Sequence, residues 1–166
     1  FSRCTNLTNI TIPDSVTSIS SSTFYKCTSL TSITIPNSVT TIGESAFSYC
    51  DNLTDVYYSG TEKQWYAVSI GENNDPLRNV AIHYWVFDNA TGTLIISDTK
   101  SMCDYTKDNR PWENYEDNIK NVIINDGVTS IGNYAFYHCD NLTSVIIPDS
   151  VTTIGSSAFS RCTNLT

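Results

Sequence analysis

Cysteine and histidine are the residues of this chain that could support metal binding or covalent chemistry. The 166 residues include six cysteines and two histidines. Within each half of the chain the cysteines recur 23 residues apart, at Cys4, Cys27 and Cys50 and again at Cys139 and Cys162. Structural zinc sites usually take cysteine ligands about two to four residues apart, and no C-x-x-C pair occurs here. We therefore predict no metal site and no cofactor.

The sequence contains no recognisable catalytic motif. Neither His83 nor His138 is accompanied by a serine in a G-x-S-x-G turn. The carboxylates of "ENYED" (Glu113, Glu116 and Asp117) suit a solvated helix face better than an acid–base pair. "DNATGT" lacks the spacing of a calcium-binding loop. We predict that the protein is not an enzyme.

Composition excludes two classes of partner. The net charge of −8 and the pI of about 4.4 disfavour binding to nucleic acid or to an anionic membrane, because both require basic patches. No apolar run approaches the ~20 residues needed to span a bilayer, so no membrane insertion is expected. Only 16% of the residues are charged, and Ser, Thr and Asn supply the polarity, as is common in secreted modules. Repeat sequence follows Phe1 directly, so the chain is expected to be part of a longer protein.

A 23-residue repeat organises most of the chain. Segments beginning at Leu7, Leu30, Ile119 and Leu142 place equivalent residues at the same offsets. Such recurrence is typical of repeat proteins, in which each repeat buries the same positions. The predicted core positions in the second and third copies are Leu30, Ile33, Ile35, Val39, Ile42, Phe47, Cys50, Phe136 and Cys139.

Each copy is interpreted as one coil of a β-rich solenoid. "LTSITI" is a strand that ends before Pro36, because proline cannot donate to a ladder. "SVTTIG" is a second short extended segment, and "ESAFSYC" is expected to form about two helical turns. Stacking at about 4.8 Å buries faces that one coil cannot bury alone.

The repeat cysteines would form a column in such a stack. Its spacing exceeds the ~3.8 Å between the Cβ atoms of a disulfide, so we interpret these cysteines as buried free thiols that fill space. Cys103 lies outside the column, and the sequence leaves open whether it is a free thiol or an intermolecular link.

The repeat L-x-x-I-x-I-P-x-x-V-x-x-I-G-x-x-A-F-x-x-C-x-x-L resembles the BspA-like leucine-rich repeats of bacterial cell-surface proteins. The resemblance covers about residues 7–53 and 119–165, with Ser20 in place of glycine, Thr23 in place of alanine and Asn125 in place of proline. It implies a leucine-rich repeat fold and an extracellular, noncatalytic role in adhesion or recognition.

The pattern drifts after Leu53. Thr61 with Gln64 predicts a capping box and a short helix through about Val68. "LRNVAI" restores the strand pattern, so one degenerate coil is expected to reach about Tyr84.

A mixed segment then separates this coil from the later repeats. "NATG" predicts the turn of a hairpin, and Pro111 predicts the first position of a helix. The expected organisation is repeat coils over 1–84, a hairpin-plus-helix insert over 85–118 and resumed repeats over 119–166. The insert either caps one array or bulges from a continuous one.

Three functions are compatible with this sequence. The favoured one is recognition of proteins on host or neighbouring cells, outside the cell, through the strand-face residues Thr31, Thr34, Asp55 and Tyr57. The alternatives are glycan binding and a rigid spacer. Ten of the nineteen aromatic residues lie between positions 57 and 115. Most are expected to seal the core, whereas exposed ones could hold sugar rings, the candidates being Trp65, Trp112 and Tyr115.

Overall fold

The computed structural model describes residues 1–98 and 101–166. These residues form two compact units, Phe1–His83 and Tyr84–Thr166. Among the described residues, no helix has the length and the apolar content needed to cross a bilayer.

Two parallel sheets form the first unit. Its strands are β1 (Asn9–Thr11), β2 (Ser18–Ile19), β3 (Ser32–Pro36), β4 (Thr41–Ile42), β5 (Asp55–Ser59) and β6 (Ser69–Ile70), and β7 (Ala81–Asp88) begins there. Strands β1, β3 and β5 pair in that order, and so do β2, β4 and β6. Helix α1 (Glu62–Tyr66) precedes β6, and a 3₁₀ helix spans Asp75–Arg78.

The register of these sheets follows the repeat as far as β5. Ile33 pairs with Ile10 on one side and with Val56 on the other, so paired residues lie 23 positions apart. Ile42 pairs with Ile19 at the same spacing but with Ile70 at a spacing of 28. The five additional residues accommodate α1.

The second unit begins with an antiparallel pair. From Trp85 onward, β7 pairs with β8 (Thr93–Ile96). Strand β8 then pairs in parallel with β9 (Asn121–Ile124), and β9 pairs with β11 (Ser144–Ile146). Strands β10 (Ser130–Ile131) and β12 (Thr153–Ile154) form a separate parallel pair.

Two predicted helices have different outcomes. The helix with a capping box is confirmed, with Thr61 as the N-cap of α1 and Gln64 completing the box, but it ends at Tyr66 and not at about Val68. The helix predicted to start at Pro111 is instead a 3₁₀ helix over Glu113–Asn118, with Trp112 as its N-cap. The start is later because Trp112 has a non-helical backbone (φ −105°, ψ 17°) and places its side chain in the core.

The core is continuous from coil to coil within each unit. All nine predicted core positions are at most 1% exposed. The ring of Phe24 stacks on those of Phe1 and Phe47 at 5.5 and 5.2 Å, and Phe136 stacks on Phe159 at 5.1 Å. Cys27, Cys50 and Cys139 are buried free thiols as expected, whereas Cys4 is exposed.

The expected helical turns in "ESAFSYC" are absent, and that prediction was wrong. The segment consists of hydrogen-bonded turns in which Ser45 and Tyr49 have φ values of 57° and 61°. A right-handed helix cannot continue through such residues. The turn backbone bonds to the neighbouring coil instead: Phe24 N–H donates to the Ala46 carbonyl at 2.8 Å, and Lys26 N–H donates to the Ser48 carbonyl at 2.9 Å.

Polar side chains of each coil donate to backbone carbonyls of the coil before it. The hydroxyl of Thr31 donates to Thr8, the amide of Asn52 to Thr28 and the thiol of Cys50 to Phe24, at 3.0, 2.7 and 3.1 Å. Equivalent bonds in the second unit come from Thr143, Asn141 and Cys162. The repeat cysteine is therefore a hydrogen-bond donor as well as a space-filling group.

Asn74 completes the last coil of the first unit. Its side-chain oxygen accepts the Phe47 N–H at 2.9 Å, where Phe24 and Phe136 donate to an alanine carbonyl of the next coil. Its amide donates to the carbonyls of Gly43 and Gly71 at 3.0 and 2.9 Å. Asn74 is only 4% exposed, so one side chain replaces the backbone of a further coil.

We predict that Asn74→Ala lowers the free energy of unfolding by about 2–4 kcal/mol, because the Phe47 N–H and the Gly71 carbonyl lose their partner and the Gly43 carbonyl keeps only the Ala46 N–H. Urea denaturation followed by circular dichroism measures the loss. Asn73→Gly is the matched control, since Asn73 has φ 59° and makes one exposed bond of 3.3 Å to Glu44. A loss below about 1 kcal/mol for Asn74→Ala would contradict the proposed capping role.

We predict slow alkylation of the buried thiols, because the thiolate is the reactive form. Burial raises the pKa of Cys50 to about 11 and that of Cys139 to about 12, from an ordinary value of 9.0. At pH 8 the thiolate fraction of Cys50 is then about 100-fold below that of an unshifted thiol. Iodoacetamide labelling read by peptide mass spectrometry should modify Cys4 first, and similar rates for Cys4 and Cys139 would contradict this.

The same pKa shifts predict a loss of stability at high pH. A folded-state pKa above 9.0 means that the folded state holds the thiol proton more tightly than the unfolded state does. The resulting stabilisation is complete below pH 9 and is lost as the pH rises towards 11–12. Urea midpoints at pH 8 and pH 10.5 should differ less in a Cys50→Ala variant than in the parent chain.

Candidate functional site

Three groups of the first unit converge on the outward face of its main sheet. Alternation along β5 buries Val56 and Tyr58 and leaves Asp55 and Tyr57 half-buried on the other face. The imidazole of His83 stacks on the Tyr57 ring with centroids 5.0 Å apart. Its Nε2 atom lies 2.8 Å from Oδ1 of Asp55. Asp55, Tyr57 and His83 are called the polar patch below.

The predicted strand-face residues differ in their exposure to solvent. Thr34 is paired with Tyr57 in the register but is only 9% exposed, so the expectation that it offers a contact surface is wrong. A short hydroxyl side chain beside a tyrosine ring has little access to solvent. Thr31 is exposed, but its hydroxyl donates to the Thr8 carbonyl at 3.0 Å and thereby joins two coils.

His83 was missed as a site residue. In the sequence, His83 was a candidate only for a catalytic group. His83 is the third residue of β7, the strand that resumes the repeat after Leu77. This position is the signal that could have placed it beside β5. Because His83 is only 9% exposed, the groups of the polar patch that a partner can reach are the half-buried Asp55 carboxylate and Tyr57 ring, which can bind polar or aromatic side chains.

The aromatic candidates for glycan binding are largely buried. Trp65 is 7% exposed and packs against Tyr58 at 5.2 Å. Trp112 is 2% exposed, stacks on Phe136 at 5.8 Å and donates its indole N–H to the Ala135 carbonyl at 2.9 Å. The interpretation of these tryptophans as exposed anchors is wrong, because they extend the core. Tyr115 is half-buried against Phe87 at 4.8 Å.

The second unit carries an aliphatic row on its outward sheet face. The register aligns Val86 of β7 with Ile95 of β8, Ile95 with Ile123 of β9, and Ile123 with Ile146 of β11. These four residues are called the aliphatic row. Val86, Ile95 and Ile123 are half-buried, and Ile146 is 59% exposed.

A polar row lies beside the aliphatic row. Asn121 donates to the Thr93 hydroxyl at 3.5 Å and accepts from the Ser144 hydroxyl at 3.1 Å. The sequence contained a signal for the aliphatic row that was overlooked. The outward position is threonine in "ITI" of the first copies but isoleucine in "VII" of the later copies, at Ile123 and Ile146.

Comparison with known proteins gives a family match over most of the chain. A family model described as a BspA type leucine rich repeat region matches six copies within residues 1–90 and 113–166. No curated protein matches the chain.

Three solved structures are similar to the chain. A leucine-rich repeat protein from Eubacterium ventriosum is 44% identical over 46% of this chain and 21% of its own, with a TM-score of 0.45. A T. pallidum leucine-rich repeat protein is 22% identical over 98% of this chain and 56% of its own, with a TM-score of 0.36. A leucine-rich cell-surface protein from Faecalibacterium prausnitzii is 23% identical over 95% of this chain and 46% of its own, with a TM-score of 0.30. The chain therefore spans from about a fifth to just over half of the length of these proteins.

We predict that Trp112→Ala lowers the free energy of unfolding by about 3–5 kcal/mol, because a large buried ring and its hydrogen bond are lost. Thermal unfolding and urea denaturation measure the change. Tyr66→Ala is the control, since Tyr66 is 76% exposed, and should change stability by less than about 0.5 kcal/mol. An unchanged melting temperature for Trp112→Ala would restore the interpretation of Trp112 as a surface anchor.

Proposed function

Because the chain belongs to the BspA-type leucine-rich repeat family, we propose that it is a noncatalytic recognition module of a cell-surface protein. In this proposal its 23-residue coils form a solenoid, and its outward strand faces bind proteins of host or neighbouring cells. Residues 85–118 act as the insert that starts the second array.

The aliphatic row is the observation that carries the proposal. Four aliphatic side chains in register across adjacent strands form a partly exposed apolar strip, and a polar row borders it. An exposed apolar strip with a polar border is typical of protein interfaces, whose buried centre is apolar and whose rim is polar. Covering it contributes about 25 cal/mol per Å² of apolar area removed from water.

The polar patch supports the same function in the first unit. His83 is only 9% exposed and offers a partner little surface, but a 2.8 Å bond and a ring stack to it hold the half-buried Asp55 and Tyr57, so little side-chain entropy of these two residues remains to be lost on binding. Tyrosine at such a position is enriched in interface hot spots.

The alternatives receive less support. A rigid spacer would not require isoleucine on the outward face of the sheet. Thr11 and Thr34 occupy the same repeat position in paired strands, so threonine is sufficient for strand formation there. Glycan binding through Trp65 and Trp112 is disfavoured by the burial of both rings.

We predict that the double variant Ile123→Thr and Ile146→Thr weakens binding to a protein partner at least tenfold while the melting temperature changes by only a few degrees. Threonine is the residue that earlier coils carry at this position, and it retains β-propensity. The 166-residue chain would be screened against arrayed extracellular matrix proteins, mucins and polysaccharides, and protein hits would be titrated by surface plasmon resonance.

Tyr66→Ala serves as the surface control in that titration, and Tyr57→Ala tests the polar patch separately. Unchanged affinity in the double variant would refute the role of the aliphatic row. Hits confined to polysaccharides, or no hit with a correctly folded chain, would refute protein recognition.

A further inference from the structure

A groove on the turn side of the first unit is distinct from both sheet faces. It has a volume of about 510 Å³ and is lined by Tyr25, Tyr49, Asp51 and Asp75 together with serine and asparagine side chains. This volume lies within the range of about 300–1,000 Å³ that is usual for small-ligand sites.

Two tyrosine rings form one wall of the groove. Tyr25 and Tyr49 meet edge to face, with centroids 5.4 Å apart and planes at 86°. Tyr49 is 53% exposed, so much of its ring area is open to solvent. The equivalent position, immediately before the repeat cysteine, holds Arg3, Lys26, His138 or Arg161 in the other copies.

Tyr49 occupies this position at a conformational cost. Its φ of 61° lies in the left-handed region, which bulky residues rarely adopt. The Tyr49 ring lies outside the core and contacts Tyr25 and Lys26 of the preceding coil. The φ value is positive at this position in the other copies too, so the backbone conformation belongs to the repeat turn, and what is particular to Tyr49 is its exposed aromatic ring.

Both acidic and basic side chains surround the groove. Asp51 and Asp75 are acidic, whereas Lys26 places Nζ 5.1 Å from the Tyr49 centroid and Arg78 lies 3.5 Å from Asp75. The ammonium of Lys26 already occupies the cation–π position on both tyrosines. A cationic ligand would therefore compete with Lys26, and an anionic ligand would meet two carboxylates.

We propose that this groove binds a neutral sugar residue. The C–H face of a pyranose ring is apolar and would stack on the exposed area of the Tyr49 ring that Lys26 does not cover. Its hydroxyl groups donate to the Asp51 and Asp75 carboxylates and exchange hydrogen bonds with Ser45 and Ser48, all of which line the groove. The site is independent of protein recognition by the strand faces.

The test uses an array of neutral and sialylated oligosaccharides, followed by NMR titration with the methyl glycosides of galactose, mannose and N-acetylglucosamine. We expect at least one neutral glycan to bind and Tyr49→Ala to weaken that binding at least tenfold. His138→Ala is the matched control, because His138 has the same repeat position and the same φ of 61° in the second unit; it should leave glycan binding unchanged.

Three results would overturn the site: no binding of any neutral glycan, binding of sialylated glycans alone, or equal affinity in Tyr49→Ala and the parent chain. Circular dichroism of Tyr49→Ala excludes misfolding as the cause of a loss, and Asp51→Ala provides a second variant that leaves the backbone strain unchanged. Tyr49→Ala should also retain any protein binding through the aliphatic row. Loss of both activities together would indicate a protein-binding surface here rather than a sugar site.

Discussion

Hydrogen bonds donated from one coil to carbonyls of the coil before it are the interaction on which this structure depends. A β-ladder pairs the strands, and at the corners of each coil side-chain donors reach further carbonyls, of which those of Thr8 and Phe24 also accept the backbone N–H groups of Thr31 and Cys27. Threonine, asparagine and cysteine side chains supply those donors at Thr31, Asn52 and Cys50. Each bond contributes about 1 kcal/mol, and its repetition explains why short polar residues replace lysine and glutamate in the composition.

Hydrogen bonding to the neighbouring coil also determines the conformation of the turn segments. It distinguishes repeat positions whose residue type is needed for these bonds from positions that can vary. Backbone N–H groups that bond to the next coil cannot also build a helix, and left-handed residues such as Ser45 redirect the chain. Consensus polar positions are committed to these bonds. Outward strand positions and the position before the repeat cysteine are not, so Tyr57, Ile123 and Tyr49 can differ between copies. Recognition is accordingly proposed at those positions.

Each unit also contains a residue that replaces part of a coil. Asn74 gives Phe47 the acceptor that a following coil would supply, and Trp112 stacks on Phe136 where another coil would place a phenylalanine. Much of the aromatic enrichment between positions 57 and 115 therefore serves packing. This is why the tryptophans are unsuitable as surface anchors, although the high aromatic content of this segment suggested such a role.

The sequence by itself determined the strands, the repeat positions that are buried and the capped helix at Thr61, because these depend on periodicity and on residues close in the chain. Tertiary structure decided what depends on the neighbouring coil. Whether "ESAFSYC" becomes helix or turn, what Asn74 bonds to, and which side chains meet at Asp55 and His83 all depend on contacts between residues more than 20 positions apart. Such contacts follow from the stacking register, which local sequence patterns do not specify.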